Sequence, residues 1–211
     1  RPDDSKKRGR PQTVTRPNRE RENPTQRRRP HVPGNSRYAS IAEKGKKIAI
    51  LSDSLCRGFN MKEFNRVLLK GHAYRKQFPG AQTRELDHHC QLTLSEDQPD
   101  VCVLSIGCND IGRSEPRKIA EGIFKIVEKC HNHGVNDVFV SSIPIRIANE
   151  QAAVEVNNLL RTNAYLHDFI LIDNNNITRH HIFRDNIHLS YDGSIMLANN
   201  FISAINGLRS L

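Results

Sequence analysis

Asp185 and His188 stand three residues apart in the stretch DNIHLS, residues 185–190. One loop can present both side chains, the carboxylate reaching back to the imidazole Nδ1. Such a pair can draw a proton from a hydroxyl: the ring takes it, and the carboxylate orients the ring and stabilises its cation. The same spacing also suits a plain turn, so what matters is whether a hydroxyl upstream needs a base. Ser54, closing the run KKIAILSDS, is that candidate. Acyl transfer through a serine further requires donors for the oxyanion of the tetrahedral intermediate. The backbone N–H groups of Ser54 and Gly80 and the side-chain amide of Asn109 could supply three. Gly80 suits the task because a missing Cβ lets backbone approach substrate closely.

Each of these residues also has a plainer reading. Ser54 could cap a turn, His188 could be structural, and Asn109 could be a turn residue. Asp53 could be catalytic, but its side chain is better suited to tying the loop by accepting backbone N–H bonds. Asp110 is expected to brace the loop Gly107-Cys108-Asn109-Asp110 rather than touch a substrate.

Short apolar runs alternate with longer amphipathic ones. Strands are expected over 46–54, 72–80, 100–107, 136–144 and 169–175, and helices over 61–70, 83–96, 115–134, 149–168 and 191–208. Pro116 suits a first helical turn and Gly134 a helix stop. Strands separated by helical lengths imply right-handed crossovers and a parallel sheet. The runs are continuous rather than alternating, as in strands covered on both faces. The expected fold is α/β: a three-layer α/β/α sandwich around a five-stranded parallel sheet, flavodoxin-like in outline. In such sheets ligands bind outside the carboxyl ends of the strands. Ser54, Gly80, Asn109 and the loop holding Asp185 and His188 all follow strands and should converge there.

The blocks ILSDSLCRG, FPGA, SIGCNDIG and DNIHLSYDG resemble, in order, the four sequence blocks of the SGNH (GDSL-type) hydrolases. The resemblance covers about 46–208. It implies Ser54 as nucleophile, Gly80 and Asn109 with Ser54 in the oxyanion hole, and Asp185 with His188 completing the triad. It also implies carboxylic or thioester substrates, often lipid or carbohydrate esters, with no metal or cofactor. One departure stands out: Ser52 occupies a position where the family usually has glycine, and a side chain there could crowd the bend before the nucleophile.

The charge is unevenly placed. The 211 residues carry a formal +9, yet residues 1–37 hold twelve Lys/Arg against four Asp/Glu, and the rest is nearly balanced. The division expected is a basic disordered arm over 1–40 and a hydrolase-like domain over 41–211. The arm is poor in apolar residues and rich in Pro, Arg, Asn and Gln, so it cannot bury enough surface to offset ordering. Lys6, Lys7, Arg8 and Arg10 form one cluster and Arg27, Arg28 and Arg29 another, a pattern that suits RNA or DNA phosphates through 1–37, a nuclear localisation signal, or a solvated linker. An arginine-rich arm on such a body also resembles the esterase-bearing first open reading frame proteins of some LINE-type retrotransposons.

No run is long and apolar enough to span a membrane. The five cysteines are odd in number, and Cys102 and Cys108 lie in or beside apolar runs, which fits reduced, buried thiols and an intracellular setting, cytoplasmic or nuclear. DHHC (87–90) and KCHNH (129–133) invite a zinc reading, but adjacent helical histidines diverge and the two clusters fall on different helices, so no metal is expected. His180 and His181 could line the cleft or merely fill a loop. Cys108 has no evident base, and GCNDIG lacks the ending of a phosphate loop. Two readings compete with an esterase: a catalytically degenerate module of the same fold serving binding or assembly, for which Ser52 speaks, and a nucleotide binder, which would want a glycine-rich loop after the first strand.

Overall fold

Every stretch linking two apolar runs is long enough for a crossover, and in a computed structural model of the chain each one is a crossover. The structure describes residues 45–69, 71–145 and 147–207. The arm expected over 1–40, with its Lys and Arg clusters, lies outside the described residues.

The strands are β1 (Lys47–Ser52), β2 (His72–Gln77), β3 (Val101–Ser105), β4 (Asp137–Ser141) and β5 (Ile170–Ile172). The helices are α1 (Met61–Val67), α2 (Thr83–Asp97), α3 (Pro116–Asn132), α4 (Glu150–Asn163) and α5 (Tyr191–Asn206). All four strand pairings are parallel, and the order across the sheet is β2-β1-β3-β4-β5. The chain leaves β1 in one direction for β2 and then crosses back to β3. That reversal puts the topological switch point between β1 and β3, where open sheets of this order bind ligands. Helices α2 and α4 each pack on α3, and α1 packs on α5, giving the two outer layers.

The central strands have no polar face to show. Ile48 through Leu51 and Val101 through Leu104 are fully buried, as strands roofed by helices on both sides must be. On α3 the buried set Ile119, Ile123, Ile126, Val127 and Cys130 recurs at helical spacing, and on α5 Leu197, Phe201 and Ile205 do the same. Phe59 meets the Phe201 ring edge-on at a centroid distance of 5.5 Å, which ties the chain after β1 to the last helix.

Elements are shorter than the apolar runs suggest. Strand β1 ends at Ser52 and is followed by a 3-10 turn, Ser54–Gly58, which has no periodicity to announce it. After β3 the chain turns through Gly107 at φ +105, a conformation that side chains rarely adopt. A Cβ there would also meet Ile143 Cδ1 at 3.1 Å and Ile119 Cγ2 at 3.3 Å. Gly107→Ala is therefore expected to lower stability by about 1–3 kcal/mol, read as a reduced urea midpoint at unchanged slope. An unaltered midpoint would contradict this account of the turn.

Candidate active site

The end of β1 is held from both sides. The Phe78 N–H donates to Ser52 O at 2.8 Å, and the Asp53 N–H donates to Ser105 O at 3.1 Å. Asp53 is fully buried, and its Oδ1 accepts the Leu55 N–H at 2.9 Å, so its carboxylate starts the 3-10 turn. Ser54 is the first residue of that turn and stands half-buried at its mouth.

The imidazole arrives on a small hairpin. Ile182 and Leu189 bridge antiparallel, the Phe183 N–H donates to His188 O at 2.7 Å, and the Ser190 N–H donates to His181 O at 2.8 Å. Asn186 at φ +60 makes the tip, a conformation asparagine tolerates. Ser190 then caps α5, its hydroxyl accepting the Gly193 N–H at 3.2 Å, so the hairpin is pinned to a helix.

Asp185 is fully engaged on this hairpin. Its Oδ1 accepts the N–H groups of Ile187 and His188, each at 2.9 Å, and its Oδ2 lies 2.7 Å from His188 Nδ1. These bonds favour the ionised form. The backbone N–H of His188 contributes most, then its ring, and the carboxyl falls to about 2 although it is exposed. Held this way, Nδ1 faces the carboxylate and Nε2 lies on the other side of the ring. Ser54, His188 and Asp185 line a single cleft of about 530 Å³, with Leu55, Phe183, Leu189 and Tyr191 as apolar walls and Arg57 at one side.

Gly80 and Asn109 sit on the two adjoining loops and are not walls of that cleft. Gly80 has φ +80 and open space where a Cβ would stand. The two loops are tied together. Asn109 Nδ2 donates to Ala81 O at 3.0 Å, and Gln82 Nε2 donates to Asn109 O at 3.4 Å. An amide NH2 carries two hydrogens, so the Ala81 bond leaves one for a ligand. Asp110, buried at 3% exposure, accepts the Thr83 N–H at 3.0 Å and the Thr83 hydroxyl at 2.9 Å. Burial pushes the Asp110 carboxyl up despite those two bonds.

No protein-family model and no curated protein matches the chain. Solved structures do. A lipase/acylhydrolase from Enterococcus faecalis aligns at 18% identity and a TM-score of 0.66, over 77% of this chain and 96% of that one. A member of the lipolytic G-D-S-L family from Veillonella parvula aligns at 16% identity and 0.66, over 77% and 99%. The psychrotrophic esterase EstA from a Pseudoalteromonas species, in a structure inhibited by monoethylphosphonate, aligns at 12% identity and 0.64, over 76% and 96%. The chain has the SGNH (GDSL-type) hydrolase fold.

Within the SGNH fold, Ser52 is accommodated. Strand β1 stays extended through it, with no positive φ, so its side chain incurs no left-handed strain. The hydroxyls of Ser52 and Ser105 are buried and interact with the Cys56 thiol. Burial, above all, pushes the Cys56 thiol up to about 12, so it stays protonated under the 3-10 turn.

The remaining candidates lie elsewhere in the fold. His89 stacks on Phe78 at 4.3 Å, His131 lies within hydrogen-bonding distance of Val135 O and Asp168 O, and His133 of Lys129 O. His181 Nδ1 accepts the Thr178 N–H at 3.0 Å, and His180 lines a separate groove at the ends of β4 and β5. Among the described residues no three His, Cys, Asp or Glu side chains gather in a metal-binding group, and no helix is long and apolar enough to cross a membrane. Sequence reasoning missed the cleft walls Phe183, Leu189 and Tyr191, and also Thr83 and Gln82, which tie the loops after β2 and β3. No spacing announces them. Ser52→Gly is expected to leave kcat close to that of the parent and to change stability by less than about 1 kcal/mol, because the flexibility glycine adds opposes the relief of a buried hydroxyl whose partner is only a weakly hydrogen-bonding thiol. A large loss of kcat would contradict this reading of Ser52.

Proposed function

We propose that the chain is a serine ester hydrolase working through Ser54, His188 and Asp185. The observation that carries the reading is that the hydroxyl and the imidazole share one cleft while the imidazole's other nitrogen is held by a carboxylate at 2.7 Å. The serine of the 3-10 turn attacks the acyl carbonyl as His188 Nε2 takes its proton. The imidazolium is stabilised by Asp185, which the hairpin keeps ionised. The tetrahedral oxyanion is met by the N–H groups of Ser54 and Gly80 and by the free hydrogen of Asn109 Nδ2. His188 then returns the proton to the leaving alcohol or thiol. Water, activated by the same base, resolves the acyl-enzyme.

Two things support this reading. The fold is one in which the compared proteins are lipases, acylhydrolases and esterases, and one of them is inhibited by a phosphonate. The cleft walls are apolar, which suits a small or lipid acyl group. The chemistry requires no metal or cofactor. In turnover of a short-chain p-nitrophenyl ester, Ser54→Ala and His188→Ala are each expected to reduce kcat by about 10⁴-fold or more. Equal rates in all three proteins would overturn the proposal and favour a binding module of the same fold.

For the arm we propose a nucleic-acid contact. Twelve Lys/Arg and four Asp/Glu in residues 1–37 supply nearly all of the chain's net charge, and the likeness to retrotransposon proteins rests on this arrangement. Retention on RNA or DNA is expected to weaken steeply with salt, as counterion release requires, and to vanish when 1–37 are deleted. Retention unaffected by the deletion would place the contact in the body.

A further inference from the structure

Arg75 projects from β2, beside Ile50 of β1, and is half-buried. Its Nη1 donates to Cys56 O, to Arg57 O at 3.2 Å and to Phe59 O at 3.3 Å. All three carbonyls belong to the 3-10 turn that begins at Ser54 or to the residue that closes it. Nη1 of the guanidinium is thus engaged with the backbone of this turn. The Cys56 carbonyl already accepts the closing Phe59 N–H at 3.1 Å, and Arg75 adds a charged donor to it and to the carbonyls of Arg57 and Phe59, the stronger class of hydrogen bond.

The turn has five residues and leaves little between its two ends. Its first end is fixed by the Asp53 carboxylate through the Leu55 N–H. Its last end is closed by the Phe59 N–H on Cys56 O and clamped from outside by Arg75. Ser54 contributes both its Oγ and its N–H from the first residue, so any roll of the turn displaces the nucleophile and one oxyanion donor together. We infer that Arg75 is a positioning residue for the reaction: it acts through the turn, touches no substrate, and sets the orientation of Ser54. The inference rests on the esterase reading proposed above.

A cap that served stability alone would change how many molecules fold, not how fast each folded site turns over. The measurement therefore counts sites first. The full chain and its Arg75→Ala, Arg75→Gln and Arg75→Lys variants are titrated with a dialkyl p-nitrophenyl phosphate, and kcat and KM for a short-chain p-nitrophenyl ester are then expressed per titrated site. For Arg75→Ala and Arg75→Gln the expectation is a fall in kcat per site of up to about 100-fold, the scale of a displaced catalytic group, with KM little changed. Arg75→Lys, which retains a cation able to reach the carbonyls, should recover a clear share of it. Fewer sites with parental kcat per site would overturn the inference. If Arg75→Ala does not fold, Gln against Lys decides: equal turnover per site overturns it, and lysine ahead of glutamine supports it. A parent chain that neither reacts with the phosphate nor hydrolyses the ester contradicts the esterase reading itself, which separates the two failures.

Discussion

The parallel ladder between β1 and β3 sets Ser52 opposite Ser105, and the rest of the site depends on that register. It aligns the carboxyl ends of the two central strands at the switch point. The loop after β1 then carries Ser54, and the loop after β3 carries Asn109. A slip of one residue would turn every side chain of β1 to the opposite face. The slip is opposed by fully buried residues on both strands and by the backbone bonds that Ser52 O and Asp53 N make to β2 and β3.

Around that edge the fold places carboxylates in opposite environments. Asp185 is exposed and satisfied by three N–H donors, which hold it ionised well into acid. Its depressed value means that its contribution to stability is present above the unfolded carboxylate range and disappears as pH falls through about 2. Asp110 is buried and its carboxyl is raised by desolvation. For it the sign reverses: stability falls as pH rises above the ordinary aspartate range, because the folded state holds the proton more tightly. Asp185 holds the His188 ring at Nδ1, whereas Asp110 braces the Thr83 end of α2.

The strands and helices were legible because buried parallel strands read as unbroken apolar runs and helices carry a period. Their ends were less so. The turn at Ser54–Gly58 is only five residues long, and it is specified by two groups outside it, Asp53 and Arg75. A lone arginine in a strand reads as a solvated charge until β1 and β2 are paired. Likewise, the spacing of Asp185 and His188 says that one loop can present both, but not that a hairpin bridged at Ile182 and Leu189 stiffens that loop. Ser52 looked like a defect against the family's glycine. In the fold it continues an extended strand, and its hydroxyl is absorbed beside a buried thiol.

The central claim is that one serine hydroxyl, and no other group, is activated by the imidazole across the cleft. Its most direct test is to treat the protein with an alkyl fluorophosphonate and locate the adduct by mass spectrometry of the digested chain. The account predicts a single stoichiometric adduct on Ser54 that is lost in His188→Ala. An adduct elsewhere, or one on Ser54 that forms equally well without the imidazole, would contradict it.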